Sequence, residues 1–210
     1  NATYEMIDFR ETMPALGNET LYSNNSNPKA STIGGLAVGV PGELRGWEMM
    51  HQKHGKLPWA DLFQPAIDIA QGGFRVPSQL AVTIAQYNTS FICADVYARE
   101  VYCPNGTAVG EGEIIRKPRY AKTLQTIAQE GADAFYSGAI ATNTIAAIQS
   151  RGGIMTLGDL ANYSAIARTP NNISWGQGGK YNVFSTVAPS SGNVVLSTLK
   201  VMDIYRENGT

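Results

Sequence analysis

Proline and glycine punctuate this chain so regularly that a regular element can rarely run beyond about four turns of helix before meeting a break. Pro41-Gly42, Gly55, Pro58, Gly72-Gly73, Pro77, Pro118, Gly138, Gly152-Gly153 and the stretch Pro189 to Gly192 supply the breaks. Between them apolar residues recur mostly at helical spacing. Leu44, Trp47 and His51 fall at i, i+3 and i+7 after Pro41-Gly42, predicting a helix that Gly55 would cap. Leu62, Phe63, Ala66, Ile67 and Ala70 mark one face of a second, with Pro65 positioned to split it and Gly72-Gly73 to end it. Pro77-Ser78 opens a third, carrying Leu80, Ile84 and Tyr87. Tyr120, Leu124 and Ile127 follow Pro118, Ile140, Ala141, Thr144, Ile145 and Ile148 follow Gly138, and Val195, Leu199 and Met202 mark a last helix. Strands are expected only over 4–9, 36–40 and 181–187, with Gly176 to Gly179 as a hairpin or loop before the third. The polar, Asn- and Ser-dense stretch 17–32 reads as an exposed loop, and the two-cysteine stretch as irregular. No internal repeat and no clear linker divides the chain.

A chain of 210 residues, 43% of them hydrophobic, can bury a proper core. Its net charge of −1, from 16 Lys+Arg against 17 Asp+Glu, supplies no field to gather nucleic acid or anionic lipid. No stretch approaches the roughly 20 consecutive apolar residues of a membrane-spanning helix. The first residue is Asn1 rather than Met and no basic-then-apolar leader follows, so residues 1–210 are expected to be an interior segment of something longer.

Asparagine context points to a compartment. Acceptor sequons occur at Asn1, Asn18, Asn24, Asn88, Asn105, Asn162, Asn172 and Asn208, eight of the 14 asparagines. The Ser and Thr content would give roughly two by chance. The excess suggests a eukaryotic secretory pathway; an Asn-rich surface with accidental sequons is the alternative. Cys93 and Cys103 fit an oxidising compartment, where they could close one loop, and two buried free thiols are the other reading.

Generic catalytic patterns mostly fail. His51 and His54 lie on the helix predicted after Pro41-Gly42 with no further ligand cluster, so no metal is expected. Gly39-Val40-Pro41-Gly42 lacks a Walker lysine and the full dinucleotide fingerprint, no Gly-x-Ser-x-Gly elbow is present, and neither cysteine has a histidine neighbour. Arg10 stands at the end of the first strand, where an arginine is more often solvated or structurally paired than a ligand holder.

Ordered local matches carry more weight than any of these. Ile7-Asp8-Phe9-Arg10-Glu11-Thr12-Met13-Pro14 resembles the Asp-Phe-Arg-Glu-x-Ala-Pro signature of gamma-glutamyltransferases, also called glutathione hydrolases. The resemblance continues in family order through Gly34 to Gly46, Leu57-Pro58-Trp59, Pro65-Ala66-Ile67 and Gly72-Gly73-Phe74. It resumes at Asp133-Ala134-Phe135-Tyr136, Arg151-Gly152-Gly153 and Leu157-Gly158-Asp159-Leu160. Several separated motifs in one order are far harder to meet by accident than one short pattern.

The resemblance implies an α/β fold, part of the α/β/β/α sandwich of N-terminal-nucleophile hydrolases, to which this large-subunit segment would bring many helices and few strands. It implies an acyl transfer in which a threonine, freed as an N-terminus by self-cleavage, attacks the γ-glutamyl amide with its own amine as base. The family threonine stands in a Thr-Thr-His context that neither His51 nor His54 reproduces, so no catalytic residue is expected in the segment. Arg10 would grip the α-carboxylate of the γ-glutamyl group, a task that suits a planar guanidinium. Partners implied are glutathione and other γ-glutamyl compounds, acceptor amino acids or peptides, and the small catalytic subunit from the same precursor; no cofactor is implied. The setting implied is extracellular, cell-surface or vacuolar. A catalytically inactive homologue, serving as a γ-glutamyl-binding or regulatory module, is the rival, and a purely structural glycoprotein domain a more distant one. Glu11 is left outside the site, since its charge could orient Arg10 or pair elsewhere on the surface; Asp8 and Glu43 are read as structural, and Ser190-Ser191 as the large-subunit Pro-Ser-Ser-Gly turn. Met13 and Asn193 depart from the alanine and glycine usual in the family.

Overall fold

The computed structural model describes residues 3–87 and 91–207, so the sequons at Asn1, Asn88 and Asn208 lie outside the described residues. In chain order the elements are β1 (Met6–Asp8), α1 (Glu43–His54), α2 (Trp59–Gly72), β2 (Phe74–Arg75), α3 (Ser78–Tyr87), α4 (Val96–Tyr102), β3 (Ile114–Ile115), α5 (Pro118–Glu130), α6 (Asp133–Tyr136), α7 (Gly138–Gln149), α8 (Leu157–Ala161), β4 (Ile166–Arg168), β5 (Asn171–Trp175), β6 (Tyr181–Ser185) and α9 (Gly192–Glu207). The segment is helix-rich with short strands, which among the described residues pair only two by two: β1 with β4, β2 with β3 and β5 with β6, all antiparallel.

The chain divides into two units, one from residues 1–54 and 136–210, the other from residues 55–135. In the first unit β1 meets β4 in the register Met6 to Arg168, Ile7 to Ala167 and Asp8 to Ile166. Val40, Leu44, Tyr136, Ala141, Ile145, Met155, Leu160 and Leu196 are buried in this unit. Each fully buried aliphatic side chain of this kind stabilises the fold by about 1.5 to 3 kcal/mol. Helix α8 starts on a capping box in which Thr156 and Asp159 satisfy each other's backbone N–H groups. The β5–β6 hairpin turns at Gly176 to Gly179 and is covered by α9, whose buried Asp203 accepts from Gly176 N–H at 3.1 Å and from Arg206 at 2.6 Å.

The second unit is built on α2 against α5. Phe63, Ile67 and Ala70 face Ala121, Leu124, Ile127 and Ala128, and the Trp59 indole N–H donates to Ile127 O at 3.0 Å. Val76, Ile84, Val109 and Ile115 form a further cluster beside Leu80 and Val101. Cys93 and Cys103 are joined as a disulfide spanning α4.

Several expectations need correcting. Residues 36–40 do not form a strand: Gly35–Ala37 is one 3-10 turn, and only Val40 makes an isolated bridge, to Thr12. Gly34, at φ 101°, turns the chain, and Gly35 presses so closely on Ile148 O and the Gly153 backbone that extended pairing has no room. The two-cysteine stretch is not wholly irregular, because Asp95 accepts from Tyr97 N–H and Ala98 N–H and caps α4. Pro65 lies inside α2 without splitting it. In α9 the expected face is turned outward: Val195 and Met202 are exposed, while Leu196 and Asp203 are buried.

Candidate functional site

Arg10 stands two residues beyond the end of β1, so no strand ladder holds its backbone. Side chains hold it instead. Its N–H donates to Asp8 Oδ1 at 3.1 Å, and its carbonyl accepts from the Tyr163 hydroxyl at 2.7 Å. Asp8 is itself fixed by Arg168 from β4, whose Nε donates to Asp8 Oδ2 at 2.7 Å. Two residues past Arg10, Thr12 exchanges both backbone hydrogen bonds with Val40, at 3.2 and 2.8 Å. The Arg10 backbone is thereby pinned between the β1–β4 pair on one side and the Thr12–Val40 bridge on the other.

The Arg10 side chain, by contrast, is 62% exposed. Its Nε meets Glu11 Oε1 at 3.1 Å, which leaves the edge carrying the two terminal guanidinium nitrogens without a protein partner among the described residues. That edge is the one suited to a two-point hydrogen bond with a carboxylate. Arg10 and Glu11 line an open cleft of about 560 Å³ together with Asp8, Gly42, Glu43 and Ser190. A second cleft of about 460 Å³ is shared by Arg10, Tyr163, Ser164, Arg168 and Pro189.

The local fold follows from small residues at close approaches. A side chain on Gly42 would strike the Tyr163 hydroxyl and Phe9 O, and one on Gly46 would strike the Phe9 ring, so α1 can lie against the β1 segment only because both are glycine. Tyr163 is 8% exposed and stacks at 6.2 Å on Tyr136, whose hydroxyl donates to Pro41 O at 2.9 Å. Gly192 occupies a similar position against the Thr186 backbone, and Asn193 Oδ1 accepts from Asn171 Nδ2 at 2.8 Å. The departure from glycine at 193 thus ties the start of α9 to β5. Met13 is half exposed beyond the bridge at Thr12.

Burial pushes the Asp8 carboxyl up, but the hydrogen bonds from Arg168 and the Arg10 N–H outweigh it and hold the group below the usual carboxylate range. Asp159 follows the same balance, with Ala15 N–H and Thr156 overcoming burial. Tyr163 is pushed up by burial and then by the charges of Asp8 and Glu11, so its hydroxyl stays protonated and able to donate.

The structure brings Arg10 together with Asp8, Glu11, Glu43 and Ser190, and keeps Cys93 and Cys103 in the other unit. Asn18, Asn24, Asn105, Asn162 and Asn172 are all exposed, and Asn18 Oδ1 accepts from the hydroxyl of its own sequon threonine, Thr20, at 2.9 Å. Sequence reasoning missed Tyr163 and Arg168, which lie about 150 residues from Arg10 and carry no local motif. Among the described residues no three His, Cys, Asp or Glu side chains gather as a metal site would require.

Comparison with known proteins adds an independent line. The family model described as Gamma-glutamyltranspeptidase matches residues 1–210. A glutathione hydrolase proenzyme of Arthroderma benhamiae is 44% identical over 208 residues, covering 98% of this chain and 35% of the relative. The crystal structure of Helicobacter pylori gamma-glutamyltranspeptidase superposes with a TM-score of 0.87 at 31% identity, covering 94% of this chain and 57% of that one. The gamma-glutamyltranspeptidase of Pseudomonas nitroreducens complexed with L-DON gives 0.80 at 33% identity, over 96% of this chain and 59% of that one. The chain spans about a third of the length of the curated relatives it matches.

Proposed function

The chain belongs to the gamma-glutamyltranspeptidase family, and from that premise we propose that it is an interior segment of the large-subunit region of an enzyme that cleaves the γ-glutamyl amide of glutathione. The γ-glutamyl group passes to water or to an amino acid or peptide. The observation that carries this reading is Arg10, which lines an open cleft with the terminal edge of its guanidinium free of protein partners among the described residues and its backbone pinned on both sides.

In this mechanism the chain does the holding and another part of the protein does the cutting. Arg10 takes the α-carboxylate of the γ-glutamyl group in two charge-assisted hydrogen bonds. Fixing that end sets the γ-carbonyl at the threonine, which converts a loose encounter into an oriented one. The threonine hydroxyl adds to the carbonyl while its amine takes the proton, the amide C–N bond breaks, and the protonated amine leaves. Water or an acceptor amine then attacks the resulting ester and releases the threonine.

Arg10→Lys in the complete protein tests the reading. A lysine keeps the charge but loses the planar fork, so KM for glutathione is expected to rise roughly tenfold or more. An unchanged KM would overturn the assignment. The inactive-homologue alternative differs in one respect: it binds a γ-glutamyl analogue through Arg10 without turning it over.

We propose further that the protein is N-glycosylated in a secretory pathway, a reading supported by the exposure of the five described sequon asparagines. Peptide N-glycosidase treatment of protein made in a eukaryotic secretory host should increase its gel mobility. No shift would refute glycosylation.

A further inference from the structure

We infer that Tyr163 is a positioning residue for donor binding: its hydroxyl, through the Arg10 carbonyl, sets where the carboxylate-gripping guanidinium stands. The inference rests on the role proposed for Arg10 and goes beyond it, because Tyr163 itself touches no substrate.

The need for such a residue follows from the local geometry. An arginine side chain has many rotamers, and one that is 62% exposed is not fixed by packing. The reach of its guanidinium then depends on where its backbone is anchored. Arg10 lies past the end of β1, so neither its N–H nor its carbonyl belongs to the β1–β4 ladder. Asp8 secures the N–H and Tyr163 secures the carbonyl. The Asp8 contact spans only two residues and ties the Arg10 N–H to its own strand end. The Tyr163 contact joins residues 153 apart and fixes the peptide to a buried group.

Tyr163 is equipped to be that fixed point. Its ring stacks on Tyr136 within 11° of parallel, and Tyr136 is held by its hydroxyl bond to Pro41 O and by the Arg45 guanidinium 4.4 Å over its ring. Gly42 leaves the space for the Tyr163 hydroxyl, since any Cβ there would occupy it. The same hydroxyl thus sits between the start of α1 and the Arg10 peptide, both of which line the cleft. Removing it leaves the Arg10 carbonyl without its anchor, so that the peptide is held only from the Asp8 and Thr12 sides, while the guanidinium chemistry stays intact.

Tyr163→Phe in the complete processed protein is the test, with steady-state kinetics on a γ-glutamyl anilide and on its analogue lacking the α-carboxylate. Loss of the hydroxyl should raise KM for the carboxylate-bearing donor about three- to tenfold, the range of one hydrogen bond's net worth, with kcat within about twofold. The analogue, which gives Arg10 nothing to hold, should show no change in KM. A residue that merely supports folding would lower the active fraction and hence apparent kcat without moving KM. Tyr22→Phe supplies that control: it removes a hydroxyl bond to Leu36 O in the same unit but none to Arg10 or Tyr163, and its KM should stay at the wild-type value. Tyr163→Phe with unchanged KM, or with an equal rise for both donors, would overturn the inference. If Arg10→Lys raises KM while Tyr163→Phe does not, the inference fails and the Arg10 assignment stands; if Arg10→Lys has no effect, that assignment fails first.

Discussion

Asp8 lies two residues before Arg10 and receives both the Arg168 Nε–H and the Arg10 N–H. Asp8→Asn keeps the size and loses the charge, leaving Arg168 to face a weaker acceptor. Because Arg168 is 38% exposed and can recover water, the loss should be about 1 to 3 kcal/mol rather than the larger cost of breaking a fully buried pair. Urea unfolding would measure it. The pH dependence has a definite sign. A carboxyl whose folded pKa is depressed contributes stability that is complete above its unfolded value, about 3.9 for aspartate, and is lost as pH falls through the folded value. Stability should therefore hold down to about pH 5 and decline below it, and Asp8→Asn should flatten part of that decline. A wild-type acid limb unaltered by the substitution would contradict this account. Arg10 drew attention in the sequence because it stands inside a family signature. Tyr163 did not, since a tyrosine in a loop after a short helix looks the same whether or not its hydroxyl reaches a peptide 153 residues earlier.

At the level of elements, the helices were the legible part. Proline and glycine gave their ends, and apolar spacing gave part of the buried faces in α2 and α5: Phe63, Ile67, Ala70, Leu124 and Ile127 are inside, whereas Leu62, Ala66 and Tyr120 are exposed. Helix α9 misled for a physical reason: its buried side carries an ion-paired aspartate, Asp203, so the hydrophobic rhythm marks the wrong face. Strands β4 and β5 went unseen because three to five residues, with Ile166 exposed and Asn171 and Asn172 at one end, show no alternation. Their partners make them strands. Helix α4 is short and bears no buried residue, so its Asp95 cap and the Cys93–Cys103 bond carry much of its definition. Replacing both cysteines with serine should cost about 2 to 3 kcal/mol by the loop-entropy relation. The loss should appear as faster amide exchange in residues 93–109 with little change around Arg10, which belongs to the other unit. Uniform destabilisation of both units would count against that separation.

For the whole molecule, family membership was readable from ordered motifs, whereas the two-unit division was not. Gly55-Lys56-Leu57-Pro58 and Ala134-Phe135-Tyr136 have no linker composition, and only the pattern of packing separates residues 55–135 from the rest. The first unit is consequently discontinuous in sequence, and β1 waits for β4 across the whole of the second unit. On a ribosome moving at about 5 to 20 residues per second, Ile166 to Arg168 follow Met6 to Asp8 by roughly 8 to 32 s. Through that interval Asp8 lacks its guanidinium and the Arg10 carbonyl lacks its hydroxyl. The anchored seat of Arg10 is therefore a late product of synthesis: residues translated first gain their partners only when the last third of this segment emerges and folds back upon them.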